Sequence, residues 1–208
     1  MYCLSLGIKD FKEAKRLIKD FDIAEIRLDL CDFDRRQVKE IFASHDNLIA
    51  TFRKKEGISP GYRISILKTA IVSGAKWVDI DMDTNSDEVI REIKDFADGY
   101  GAKTIISLHR STSPPDISVM DKYIKKARSF NPALVKIIFY AFNDGDNAKV
   151  LSLYSRYQNI IAFNMGEKGK ITRIKALESG APFMYVAPEG HLTAPGQLTV
   201  NEVKDRNF

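Results

Sequence analysis

The sequence predicts an α/β fold, a (β/α)8 TIM barrel formed as a single domain over residues 1–208. Three observations predict it. Eight short apolar runs, rich in β-branched residues, recur with a period of roughly 25 residues. Amphipathic stretches with helical spacing lie between them. No composition shift, linker or low-complexity segment divides the chain. Repeated strand–helix units mean parallel strands with helices outside. Eight such units suit a closed barrel, at a length short for that class but within it. An open dinucleotide-binding sheet would carry a glycine-rich turn after its first strand, whereas "SLGIKDF" has a single glycine.

In chain order the strands are read at "YCLSLG" (2–7), "IAEIRLDL" (23–30), "NLIATFR" (47–53), "WVDIDM" (77–82), "KTIISLH" (103–109), "ALVKIIF" (133–139), "NIIAFNMG" (159–166) and "PFMYVAP" (182–188). Between the first two, "DFKEAKRLIKDF" places Phe11, Ala14, Leu17, Ile18 and Phe21 on one helical face. "SDEVIREIKDFADGYG" opens on an N-cap candidate, Ser86, and closes on glycine.

Composition excludes several classes of function. With 44% hydrophobic and 29% charged residues, the chain is ordinary globular protein. The net charge of +4 suits an anionic small substrate, and no Lys/Arg run is long enough for a nucleic-acid arm. No apolar run approaches the roughly 18 residues of a membrane span, and the N-terminus lacks the pattern of a signal peptide. Cys3 and Cys31 have no CxxC spacing and read as buried free thiols of a reducing compartment. The expectation is a soluble, cytoplasmic protein.

Period-two alternation points polar groups at the barrel interior. In "AEIRLDL" these are Glu25, Arg27 and Asp29, with Ala24, Ile26, Leu28 and Leu30 facing the helices. Thr51 and Arg53 share a face, as do Asp79 and Asp81, and Ser107 and His109. Lys136 shares its face with Leu134 and Ile138. Asp29, Asp79 and Asp81 are read as partners that neutralise the bases around them. The full set exceeds what packing needs and sits where barrel enzymes place their chemistry.

Lys136 is the most telling member. A free lysine is almost wholly ammonium at neutral pH. Apolar walls and neighbouring cations favour the neutral amine, which attacks carbonyls to form Schiff bases. His109, one strand away, is a proton shuttle suited to neutral pH. His45 and His191 fall in loops and are read as surface residues, His191 with a place in a lid as the other reading. No His, Cys, Asp or Glu set has metal-ligand spacing, so no metal is expected. Arg173, in "FNMGEKGKITRI", can return towards the barrel mouth. Thr193 and Gln197 lie in "APEGHLTAPGQL", a Gly/Pro-rich segment able to cover it.

Six motifs, "EIRLDL", "ATFR", "SLH", "LVKI", "FNMGEKGKITRI" and "TAPGQL", occur in the order and rough spacing of one family. Through them nearly the whole chain resembles the type I 3-dehydroquinate dehydratases of the shikimate pathway. The resemblance implies a dimeric barrel lyase with no metal or organic cofactor, acting on 3-dehydroquinate. It implies that Lys136 forms the Schiff base and His109 is the general acid and base. It implies that Arg173 holds the carboxylate and Gln197 belongs to the closing loop, with Thr193 where serine is frequent. Glu25, Arg27 and Arg53 match residues that hold ring hydroxyls and organise charge, and Asp79 or Glu56 could support the imidazole. The chain departs from the family after the histidine, where Arg110 and Ser111 replace the usual Asp or Asn and Phe. Two other readings compete. A class I aldolase shares the lysine but would want a phosphate-binding turn late in the barrel. A small-acid binding protein has no use for Lys136 or His109.

Overall fold

The computed structural model describes residues 1–204. The chain divides into two compact units, one of Cys3–Ile105, the other of Met1–Tyr2 with the residues from Ile106 onward.

In the first unit β1 (Tyr2–Leu6), β2 (Ile23–Arg27), β3 (Leu48–Thr51) and β4 (Trp77–Asp81) lie side by side in that order, all parallel. The helices are α1 (Phe11–Leu17), α2 (Leu28–Cys31), α3 (Arg35–Phe42), α4 (Pro60–Val72) and α5 (Asp87–Gly99). Local chemistry sets their starts. The Asp34 carboxylate accepts from the Gln37 N–H while the Gln37 side chain caps back, a reciprocal arrangement that satisfies two orphan donors. Ser59 caps α4 with Pro60 in its first turn, and Ser86 caps α5 as expected. Apolar strand residues such as Leu4, Ile26, Leu48 and Ile80 are fully buried. The register sets Ser5 against Glu25, and Arg27, Thr51 and Asp79 in one row. Polar side chains on different strands are therefore neighbours before any loop contributes.

In the second unit β5 (Lys103–His109), which enters it at Ile106, lies beside β6 (Leu134–Tyr140), and β6 pairs in parallel with β7 (Ile160–Met165). The helices α6 (Ile117–Arg128), α7 (Asp144–Leu151) and α8 (Lys170–Glu178) follow β5, β6 and β7. The chain then runs through β8 (Met184–Ala187), a two-residue β9 (Leu198–Thr199) parallel to β8, and α9 (Val200–Lys204).

All eight predicted strands are present, and strand alternates with helix as in the (β/α)8 class. Two details differ from the sequence reading. The second strand ends at Arg27, because residues 28–31 wind into α2, closed by Asp32 in the left-handed conformation (φ 54°). Asp29 therefore approaches Arg27 from a helical turn and not along a strand face. The ninth strand begins at the last residue of the segment read as loop, and at two residues it is too short for any periodic signal. Among the described residues no helix is long and apolar enough to cross a membrane. Cys3 and Cys31 are both free and buried, and burial pushes the Cys31 thiol up to about 12.

Candidate active site

Lys136 sits mid-strand on β6 and is 4% exposed, between Leu134 and Ile138 on its own face, both buried. The Arg110 N–H donates to the Ile138 carbonyl at 2.9 Å. That bond sets His109 against Ile138 and Lys136 against Ser107. His109 thus lies one side-chain repeat beyond Lys136 on the neighbouring strand, on the face the alternation assigned to both. It is half-buried, at the last residue of β5. The Lys136 Nζ lies 4.0 Å from the centroid of the Tyr185 ring on β8.

Arg173 stands in the first half of α8 and is 2% exposed. Its Nη2 donates to the Pro195 carbonyl at 3.3 Å, and its guanidinium carbon lies 4.3 Å from the centroid of Phe163. Its Nε is buried with no acceptor. Among the described residues no carboxylate pairs with it. Burial pushes its pKa down to about 9, which leaves it a cation at neutral pH.

The turn before α8 explains how an arginine reaches that position. The Asn164 N–H donates to Thr172 Oγ1 (2.8 Å), and that hydroxyl donates to the Gly169 carbonyl (2.6 Å). Asn164 Nδ2 bonds the Asp146 carbonyl and Asn147 Oδ1, joining the turn to α7. A Cβ on Gly169 would meet the Asn164 oxygen at 2.6 Å and overlap the Met165 oxygen as well. Only glycine fits, because the helix start rests on the end of β7. Gly169→Ala is expected to destabilise the fold by about 1–3 kcal/mol and to raise KM by displacing Arg173. Gly61, with open space at its Cβ position in α4, is the control: Gly61→Ala should be neutral or slightly stabilising. Urea melts of both variants check this.

Residues 193–197 close on the same turn. The Gly166 N–H donates to the Pro195 carbonyl (3.2 Å). Gly196 (φ 66°) packs so tightly on Gly166 that a Cβ there would overlap the Gly166 carbonyl. Gln197 is buried, and its Oε1 accepts from both the Thr193 N–H (2.8 Å) and the Thr193 hydroxyl (2.9 Å). The two predicted loop residues thus hold each other. A cleft of about 290 Å³ opens here, lined by Ser111, Tyr140, Phe142, Met165 and Pro195.

The first unit holds the other predicted residues. Glu25 is buried, accepting from Ser5 Oγ (2.6 Å) and Thr51 Oγ1 (2.8 Å). Arg27 grips Asp29 with two bonds, Nε to Oδ1 at 3.0 Å and Nη2 to Oδ2 at 2.7 Å. Arg53 donates to Asp79 Oδ2 (2.8 Å) and lies 3.4 Å from Asp81 Oδ2. Burial opposes the charge on Arg53, but Asp79, Asp81 and Glu25 outweigh it and hold its pKa above the ordinary value. Arg27 is raised likewise, burial being outweighed by Asp29 and then Glu25 and Asp79. Burial pushes the Asp81 carboxyl up. The acids read as neutralising partners do pair with these bases, and Glu56 is exposed on a turn.

Other positions resolve simply. The Arg110 guanidinium turns onto α6, bonding the Tyr123 hydroxyl (2.9 Å) over its ring. His191 is exposed. His45 is half-buried, not a plain surface residue: its Nε2 bonds the Phe21 carbonyl (2.8 Å) and its Nδ1 accepts from the Asn47 N–H. Sequence reasoning passed over Tyr185 and Phe163, whose rings lie against Lys136 and Arg173. Their aromatic side chains within the strand runs 159–166 and 182–188 were the available signal.

The model of the family described as type I 3-dehydroquinase matches residues 2–206. A 3-dehydroquinate dehydratase of Methanococcus maripaludis is 32% identical over 199 residues, 92% of this chain and 89% of the relative. One from Pyrococcus abyssi is 31% identical over 201 residues, 93% and 90% of the two chains. Among solved structures, a type I 3-dehydroquinate dehydratase from Clostridium difficile, with covalently modified comenic acid, superposes with a TM-score of 0.85 at 25% identity. That match covers 98% of this chain and 89% of the other.

Proposed function

Since the chain belongs to the type I 3-dehydroquinase family, we propose that it dehydrates 3-dehydroquinate to 3-dehydroshikimate through an imine on Lys136. The observation that carries this reading is Arg173: a buried guanidinium with no carboxylate partner among the described residues, in the same unit as Lys136 and His109. A buried cation of this kind is suited to a substrate carboxylate. An aldolase of phosphorylated sugars would need a site for a dianion, which this single guanidinium serves less well.

The neutral amine of Lys136 adds to the C3 ketone, and the carbinolamine loses its hydroxyl as water, with a proton from the His109 imidazolium, to give an iminium. His109 removes the C2 proton, and the electron pair moves into the C2–C3 bond to form an enamine. The enamine expels the C1 hydroxyl, which leaves as water with the proton carried by His109. Hydrolysis of the conjugated iminium frees the enone and restores the lysine. The iminium is the electron sink, so the cycle draws on neither metal nor organic cofactor. Arg173 fixes the carboxylate and with it the distances from C3 to Lys136 and from C2 to His109. Thr193 and Gln197 close over the substrate, Gln197 Nε2 donating to a ring oxygen. Glu25, Arg27 and Arg53 bind ring hydroxyls, a role that rests on the family resemblance. A relative solved with covalently modified comenic acid supports covalent chemistry on this fold. The same resemblance supports a homodimer working in the cytoplasm as one catalytic domain.

Borohydride added with 3-dehydroquinate should leave a reduced adduct on the peptide carrying Lys136, and product should appear by its enone absorbance. An adduct on another lysine, or none, sinks the mechanism.

A further inference from the structure

We propose that Tyr185 is a catalytic group: its ring face is the seat on which the Lys136 iminium forms. The inference rests on the imine reading above and goes beyond it. The Lys136 Nζ lies 4.0 Å from the ring centroid, well within the distance at which a cation is held by an aromatic face. Tyr185 is 3% exposed, and Phe183 meets its ring at 81° with centroids 5.3 Å apart, so the face is held rather than free to turn away. Arg173 sits over Phe163 in the same fashion. This unit thus twice seats a buried cation on an aromatic ring.

A ring face is neutral and its attraction for a cation is modest. Its effect appears where charge is made. In the carbinolamine the nitrogen is neutral. As its lone pair forms the C=N bond and the C3 hydroxyl departs as water with a proton from the His109 imidazolium, positive charge develops on nitrogen. A negative ring face beside Nζ stabilises that transition state relative to the neutral carbinolamine, which is the difference that accelerates a step. Hydrolysis of the product iminium returns through the same kind of transition state and gains equally. The iminium is planar, so it can also lie flat against the ring more closely than a tetrahedral ammonium.

The test is the rate of formation of the borohydride-trappable adduct at saturating 3-dehydroquinate, with the adduct mapped to its residue. The variants are Tyr185→Phe and its mono-, di- and trifluorinated counterparts, which keep ring size while draining the negative face. The trapping rate should fall with each added fluorine, by about tenfold across the series, and kcat should fall with it while KM holds. Tyr185→Leu should lose about tenfold as well. A residue that only fills space would give a flat series. Trapping on Lys136 at one rate throughout the series overturns this proposal and leaves the imine reading standing. Absence of any adduct in the unaltered protein overturns both.

Discussion

Lys136→Ala is expected to lower dehydration of 3-dehydroquinate by at least about 10⁴-fold, the scale on which removal of a covalent nucleophile acts. The C2 proton is acidified only when C3 carries the iminium. Without the amine the ketone itself must accept the developing charge, and His109 has no electron sink to work against. Lys136→Arg separates the two properties of the side chain. It keeps a cation near Tyr185 but cannot form an imine, so it should lose as much activity as alanine. Product affinity in the alanine variant, measured by calorimetry, should stay within about tenfold, since the carboxylate clamp at Arg173 is untouched. Turnover within tenfold of the unaltered protein, in either variant, would remove the lysine from the mechanism. Loss of turnover together with loss of binding would make Lys136 a structural residue.

The position of that lysine was legible because alternation is local. A run such as "ALVKIIF" declares its own two faces, and neighbouring strands in parallel register put like faces together. Lys136 and His109 follow from this rule. Alternation put Asp29 on the same strand face as Arg27, whereas Asp29 reaches Arg27 through α2, whose helical turn no period-two reading anticipates. What alternation cannot express is contact through the backbone or through a ring face. The Pro195 carbonyl that meets Arg173, and the Tyr185 ring over Lys136, belong to segments tens of residues away. Neither a carbonyl nor an aromatic core residue stands out in composition. The tight stacking of Gly169 on β7 and Gly196 on Gly166 is of the same kind. Their glycines were visible as turn formers, but the reason only glycine fits is an atom on another element.

Arg173→Met should separate stability from binding, with opposite signs. The guanidinium is buried, bonded once to a carbonyl and stacked on Phe163, with Nε unsatisfied. Replacing unbalanced buried charge by an apolar side chain of similar length typically gains about 1–4 kcal/mol. Loss of the ring contact and the carbonyl bond returns about 1 kcal/mol each. The balance is a gain of at most about 2 kcal/mol in urea melts at neutral pH, and the buried Nε without an acceptor places it on the gaining side. The pH dependence has a definite sign. In the unfolded chain the arginine holds its proton to the ordinary value, while the native group releases it near 9. Below about pH 9 both states are charged and the native state carries the full burial penalty. Between that point and the unfolded value, the unfolded state binds more protons, so the stability of the arginine protein rises with pH. The advantage of Arg173→Met should thus be largest below pH 9 and shrink above it. Binding runs the other way. A carboxylate bound at Arg173 supplies the missing partner, and truncating one side of such a buried pair costs about 2–5 kcal/mol. KM for 3-dehydroquinate should rise by about 10²- to 10³-fold, and the melting-temperature increase that 3-dehydroshikimate gives the unaltered protein should vanish. A variant that is less stable yet still binds the acid would mean that the guanidinium is a strut and not the carboxylate site. One that is more stable and no longer binds would mean that the fold keeps an unpaired buried charge for the sake of its substrate.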